Sequence, residues 1–148
     1  MLAERTNLGG RSQPARVLLV EDEPTIAVTL GDELEEHGYR VTAVAHGDAA
    51  LGVVRSSAFD AVVTDLRLPG ATGIDIVRAV KQQCPRSRVL VVSAYFGGQE
   101  AVVVGAGADG VLRKPFVNRD VVAWLREQLS ASSSPGLARC GRYAAPPR

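Results

Sequence analysis

Four short segments of this 148-residue chain carry side chains suited to chemistry: Glu21-Asp22-Glu23, Asp65, Ser93 and Lys114. Carboxylates gathered in one place repel each other, and a cation removes that cost. An all-oxygen set that uses few protein carboxylates and leaves room for water suits Mg2+. An ammonium and a hydroxyl opposite the acids would hold the remaining oxygens of a phosphoryl group. Electrostatic stabilisation and positioning are most of what phosphoryl transfer asks of a protein. Asp65 at the centre would then be the nucleophile, forming an aspartyl phosphate. Taken singly, each residue has an ordinary reading: an acid or serine after a strand caps a helix, and Lys114-Pro115 makes a surface turn. The set acquires meaning from the elements that bring it together.

Short β-branched apolar runs alternate with helical patterns. Strands are expected at 16–20, 40–45, 60–64, 88–92 and 109–113, and helices at 24–37, 47–57, 72–84, 98–106 and 117–129. Pro24 suits a first helical turn and Gly38 a helix end, while Pro85 closes the third helix. The helix at 98–106, with three consecutive valines and flanking glycines, is the most weakly specified. Five strand–helix units whose strands are continuous apolar runs predict an α/β fold, a parallel sheet covered on both faces with right-handed crossovers. Ligands of such sheets bind beyond the carboxyl ends of the strands. The acids follow strands one and three, Ser93 follows strand four and Lys114 follows strand five, so all converge on one rim.

Composition narrows the class further. An apolar content of 46% with 22% charged residues is that of a soluble globular domain, and a net charge of +1 gives no reason to expect nucleic acid or anionic membrane as a partner. Seven of the sixteen acids nevertheless lie between Glu21 and Glu36. No apolar stretch suits a signal peptide or a membrane span. Cys84 and Cys140 form no C-x-x-C pair, which fits free thiols in a reducing, cytoplasmic setting. Polar segments at 1–15 and 131–148 read as flexible tails around a domain at 16–130. The eighteen residues after Ser130, which include Arg139, Arg142 and Arg148, leave no room for an output domain in this sequence.

Other signals lose their force in context. Gly105, Gly107 and Gly110 fit G-x-G-x-x-G, but the motif follows a helix and opens a strand, the reverse of a dinucleotide fingerprint. It reads instead as a tight turn. His37 and His46 lack partners at metal-ligand spacing. Trp124 stands with Val121, Leu125 and Leu129 at core spacing on the last helix, with a docking surface as the other reading.

The segments LLVEDEP, VVTDLRLPGATG, VVSA and LRKPF, in that order, resemble the receiver domains of bacterial two-component response regulators, over about Arg16 to Leu129. The resemblance implies a doubly wound, flavodoxin-like (βα)5 fold with strand order 2-1-3-4-5. It implies Asp65 as phosphoacceptor, with Mg2+ (or Mn2+) held by Glu21, Asp22, Asp65 and the backbone carbonyl of Arg67. Ser93 matches the switch hydroxyl, Lys114 the phosphate-binding lysine, and Pro115 a position whose peptide bond is often cis. Ala94, Tyr95 and Val111 fall in the switch region. Pro69 and Gly73 match the loop beyond the acceptor.

Two departures bear on mechanism. Val111 stands where the family usually has an aromatic, and the interval from Ser93 to Lys114 is about one residue short. Arg67 and Tyr95 occupy variable positions flanking the acceptor, and their bulk predicts a long-lived phosphorylated form.

The partners implied are a sensor histidine kinase or phosphotransfer protein and an unnamed downstream protein, with no direct nucleic-acid contact and no membrane. A homodimer through the face of helix 4, strand 5 and helix 5 is the pairing the family suggests. The expected activity is a phospho-switch that catalyses only its own phosphorylation and dephosphorylation. Three alternatives stay open on the residues: a Mg2+-dependent phosphohydrolase, which would usually carry an acid where Arg67 stands, a receiver-like module that is never phosphorylated, and a receiver excised from a longer regulator.

Overall fold

The computed structural model describes residues 13–131. Its strands are β1 (Arg16–Val20), β2 (Arg40–Val44), β3 (Ala61–Asp65), β4 (Arg88–Ser93) and β5 (Gly110–Arg113). Its helices are α1 (Pro24–Glu36), α2 (Gly47–Ser56), α3 (Gly73–Gln83), α4 (Glu100–Gly105) and α5 (Asn118–Ala131). The sheet runs β2-β1-β3-β4-β5 with every pairing parallel, which is the predicted doubly wound order.

The reason for the continuous apolar strands is visible in the packing. Successive side chains of a strand point to opposite faces, and both faces here are covered. Leu18 and Val20 of β1 enter a core with Ala50, Val54, Ile76, Val77 and Phe96 beneath α2 and α3. Val17 and Leu19 enter a second core with Leu30, Leu34, Val121 and Leu125 beneath α1 and α5. The central strand β3 is buried throughout, whereas the edge strands β2 and β5 are partly exposed. Trp124 is half-buried against the second core, and a Cβ on Gly110 would lie 2.6 Å from its indole nitrogen. It therefore packs onto β5, as the core reading required.

Boundaries moved where backbone chemistry forced them. The fourth helix spans Glu100–Gly105 rather than 98–106, because Gly97 and Gly98 take φ of +59° and +79°, outside the helical region. Gly107, with φ +121°, makes the turn from α4 into β5, and a Cβ there would meet Lys81 Cγ at 2.8 Å. At α3 the Thr72 hydroxyl accepts from the Asp75 amide while the Asp75 carboxylate accepts from the Thr72 amide, a reciprocal cap.

Ala15 is buried and its carbonyl accepts from the Arg40 amide, so packing reaches into the expected N-terminal tail. The rest of that tail, 1–12, and the C-terminal tail beyond residue 131, including Cys140 and the three tail arginines, lie outside the described residues. Cys84 corrects one expectation: it is held in a disulfide and is not a free thiol. Among the described residues, no helix is long and apolar enough to cross a membrane.

Candidate phosphoacceptor site

Register carries the site. Val20 pairs with Thr64 across β1 and β3, so Glu21 and Asp65, one residue further on, come side by side at the carboxyl ends. Asp65 is the last residue of β3, one position deeper than expected, and Ser93 is the last of β4. Ser93 pairs with Arg113 across β4 and β5, and its carbonyl accepts from the Lys114 amide at 2.9 Å. The peptide bond between Lys114 and Pro115 is cis.

From β5 the Lys114 side chain reaches back across the sheet. Its Nζ lies 2.8 Å from Asp65 Oδ2 and 3.1 Å from Glu21 Oε1. Glu21 also accepts from the Glu23 amide through Oε2 at 3.1 Å. Glu21, Asp22 and Asp65 each offer a carboxylate oxygen within 4.8 Å of the others, the first and third buried, Asp22 exposed to solvent. The cluster thus spans the boundary between protein interior and water.

Three carboxylates face one ammonium. Burial pushes the Glu21 carboxyl above its ordinary range, reinforced by the Asp65 charge and opposed by the Glu23 amide and Lys114. At Lys114 burial works against the charge, but hydrogen bonds to Asp65 and Glu21 outweigh it and hold the ammonium above its ordinary value. The donors are all hard oxygens, two of them desolvated and under-neutralised. A small divalent cation such as Mg2+ fits that set, one side of which stays open to water.

The remaining predicted residues surround this centre without all facing it. The Ser93 hydroxyl donates to the Tyr95 carbonyl at 2.9 Å and accepts from the Tyr95 amide at 3.1 Å. In this state its proton is committed to the loop. Arg67 Nε donates to the same carbonyl at 3.2 Å, and its guanidinium lies 5.5 Å from the centroid of the exposed Tyr95 ring. Ala94 is exposed at the start of that loop, and Val111 stands on the exposed face of β5.

Sequence reasoning named Gly73 in the loop after Asp65 but missed Asp48, which supports that loop from α2. Gly73 sits so close that a Cβ would lie 2.6 Å from the Asp65 carbonyl oxygen. Asp48, in the first turn of α2, accepts from the Ala71 amide at 3.2 Å. A first-turn acid behind a glycine is a weak sequence signal, because helix starts commonly carry one.

Comparison with known proteins adds the decisive observation: the family model of the response regulator receiver domain matches residues 17–126. The chain belongs to that family. Among curated relatives, this receiver domain is similar to the transcriptional regulatory protein TcrA of Mycobacterium tuberculosis, 36% identical over 118 residues, covering 79% of this chain and 47% of TcrA. It is also similar to the alkaline phosphatase synthesis transcriptional regulatory protein SphR of Synechococcus elongatus, 35% identical over 133 residues, covering 83% and 52%. The chain spans about half the length of these relatives. A CheY-like receiver domain protein from Methanospirillum hungatei superposes with TM-score 0.77 at 25% identity, over 82% of this chain and all of that one. The receiver domain of sensor histidine kinase PA1611 from Pseudomonas aeruginosa superposes with TM-score 0.71 at 29% identity, covering 78% and 98%. That structure has a magnesium ion coordinated in its active-site cleft.

Proposed function

We propose that this receiver domain accepts a phosphoryl group on Asp65 from a histidine kinase or phosphotransfer protein, in a reaction that needs a divalent cation. The observation that carries the proposal is the contact of Lys114 Nζ with both Asp65 and Glu21 at the carboxyl ends of the strands, beside the exposed carboxylate of Asp22. Glu21, Asp22, Asp65 and the Arg67 carbonyl would hold Mg2+ or Mn2+, which neutralises charge that Lys114 alone leaves uncompensated. A carboxylate oxygen of Asp65 attacks phosphorus as the bond to the donor nitrogen breaks, and the leaving imidazole takes up a proton. Lys114, held charged by its two acids, stays beside the oxygens that gain negative charge.

Ser93 can serve the phosphoryl group only by releasing Tyr95, so the loop from Ser93 through Ala94 and Tyr95 is where the chemistry meets the surface. Val111 carries no aromatic ring to report that change. Output then passes to a downstream protein through the surface of α4, β5 and α5, which also offers a face for pairing of two copies. The only turnover in this reading is the domain's own phosphorylation and dephosphorylation.

The test is incubation with acetyl phosphate or phosphoramidate and Mg2+, read by intact mass. One base-labile phosphoryl adduct is expected, absent after Asp65→Asn and absent with chelator. An adduct that survives Asp65→Asn would place the acceptor elsewhere.

A further inference from the structure

The loop that follows Asp65 is fastened at a point outside the acid cluster. Its last residues belong to the α3 cap, with the Gly73 amide donating to the Leu66 carbonyl at 2.8 Å. Its middle is tied to the start of α2. The Gly47 amide donates to the Pro69 carbonyl at 3.0 Å, and Asp48 Oδ1 accepts from the Ala71 amide at 3.2 Å. The fit is close: a Cβ on Gly47 would overlap the Ala71 carbonyl, and one on Gly70 would lie 2.7 Å from Asp48 Oδ2. Gly70 takes φ +82°, which turns the chain toward Asp48. The backbone of Arg67, Leu68 and Pro69 therefore runs between the β3 end and the α2 start, with the Arg67 side chain also tied to the Tyr95 carbonyl.

From this we infer that Asp48 is a positioning residue for the cation site, acting by fixing the loop whose Arg67 carbonyl the proposed function gives to the cation. The inference rests on the receiver reading above and names a residue for which neither the acid cluster nor the phosphoryl chemistry has a use. The physical reason is that a hard divalent cation tolerates little error in the placement of its few protein oxygens. A backbone carbonyl on a loop has no side-chain rotamer with which to correct its position. The loop must be held from behind, and the α2 start supplies an acceptor where the Ala71 amide needs one. Outer-shell contacts of this kind typically change metal affinity by ~10–100-fold when removed.

The test uses the full chain with wild-type protein, Asp48→Ala and Asp48→Asn. Mg2+ binding is measured by calorimetry, and exchange of the Ala71 amide is followed by NMR in chelator. Asp48→Ala is expected to weaken Mg2+ binding about tenfold and to speed Ala71 exchange, while the urea midpoint of the metal-free protein stays close to that of wild type. Asp48→Asn, whose side-chain oxygen can still accept, should recover most of both. Wild-type Mg2+ affinity in Asp48→Ala would overturn the inference, as would equal losses in the two variants, which would trace the effect to charge rather than to the hydrogen bond. A loss of affinity that merely follows global destabilisation would overturn it too. If wild-type protein itself bound no Mg2+ and formed no adduct with acetyl phosphate, the receiver reading would fail and this inference with it. Normal wild-type behaviour alongside an unaffected Asp48→Ala would sink the positioning role alone.

Discussion

The two ends of the sheet each carry a lysine paired with an acid, and they are built to opposite purposes. At the amino ends, Lys81 Nζ bonds Asp109 Oδ2 at 2.9 Å and also meets the carbonyls of Pro85 and Ser87. Arg88 adds a second cation at 3.3 Å from Asp109 Oδ1, and the Val89 amide donates to the same carboxylate at 2.9 Å. Two positive charges and a backbone donor surround one carboxylate. That knot ties the end of α3, the start of β4 and the turn into β5 together. At the carboxyl ends the ratio is inverted, with one ammonium facing Glu21, Asp22 and Asp65. Charges taken out of water stabilise a fold only when fully partnered. The amino-end knot meets that condition with protein groups alone, whereas the carboxyl-end cluster would meet it only with the cation proposed above. On that proposal one end is a fastening and the other a receptor.

The largest expected effect breaks the fastening. Asp109→Ala should leave Lys81 and Arg88 without their shared acid and the Val89 amide without its acceptor. A loss of about 3 kcal/mol in urea unfolding is expected, with Mg2+ binding in the folded fraction unchanged. Next comes the receptor: Mg2+ at about one hundred times its dissociation constant should stabilise wild-type protein by ~2.7 kcal/mol. Asp65→Asn and Glu21→Gln should lose most of that gain. If Mg2+ stabilised Asp109→Ala and Asp65→Asn alike, the contrast between the two ends would collapse.

A smaller effect is a pH dependence confined to the carboxyl end. Glu21 holds its proton more tightly in the folded domain than in the unfolded chain, whose ordinary value is 4.5. Its contribution to metal-free stability is therefore fully present below pH 4.5 and is lost as pH rises through the raised folded value. Glu21→Gln should flatten that slope and make the metal-free domain more stable near neutrality. Saturating Mg2+ should remove the difference in slope. The smallest effect concerns the exposed stack of Arg67 on Tyr95. Arg67→Ala and Tyr95→Ala should change stability by less than about 0.5 kcal/mol, yet speed hydrolysis of the phosphoryl adduct severalfold. Hydrolysis as slow as in wild-type protein would show that the stack does not shield the site.

The amino-end knot also shows what a reading of residues passes over. Asp109 stood in the sequence as the first residue of a strand, with nothing beside it to suggest Lys81 and Arg88. Its partners come from an earlier helix and a neighbouring strand, and no local spacing links them. Asp48 escaped notice for the same reason, since its partner is an amide twenty-three residues away.

What the chain declared in advance was anything that depends on local repetition or on strand ends. Apolar runs such as Arg88 to Val92 can be satisfied only in a sheet covered on both faces, and strand ends in such a sheet share one rim. That logic reached Glu21, Asp22, Asp65, Ser93 and Lys114 without coordinates. Three-dimensional packing settled the remainder. It turned the Ser93 hydroxyl toward Tyr95, laid Arg67 over the Tyr95 ring, shortened α4 at two positive-φ glycines and hung the loop after Asp65 from Asp48. Each of these is a choice among near-equal local options, made by contacts between distant segments. Only the folded chain brings those segments within hydrogen-bonding reach.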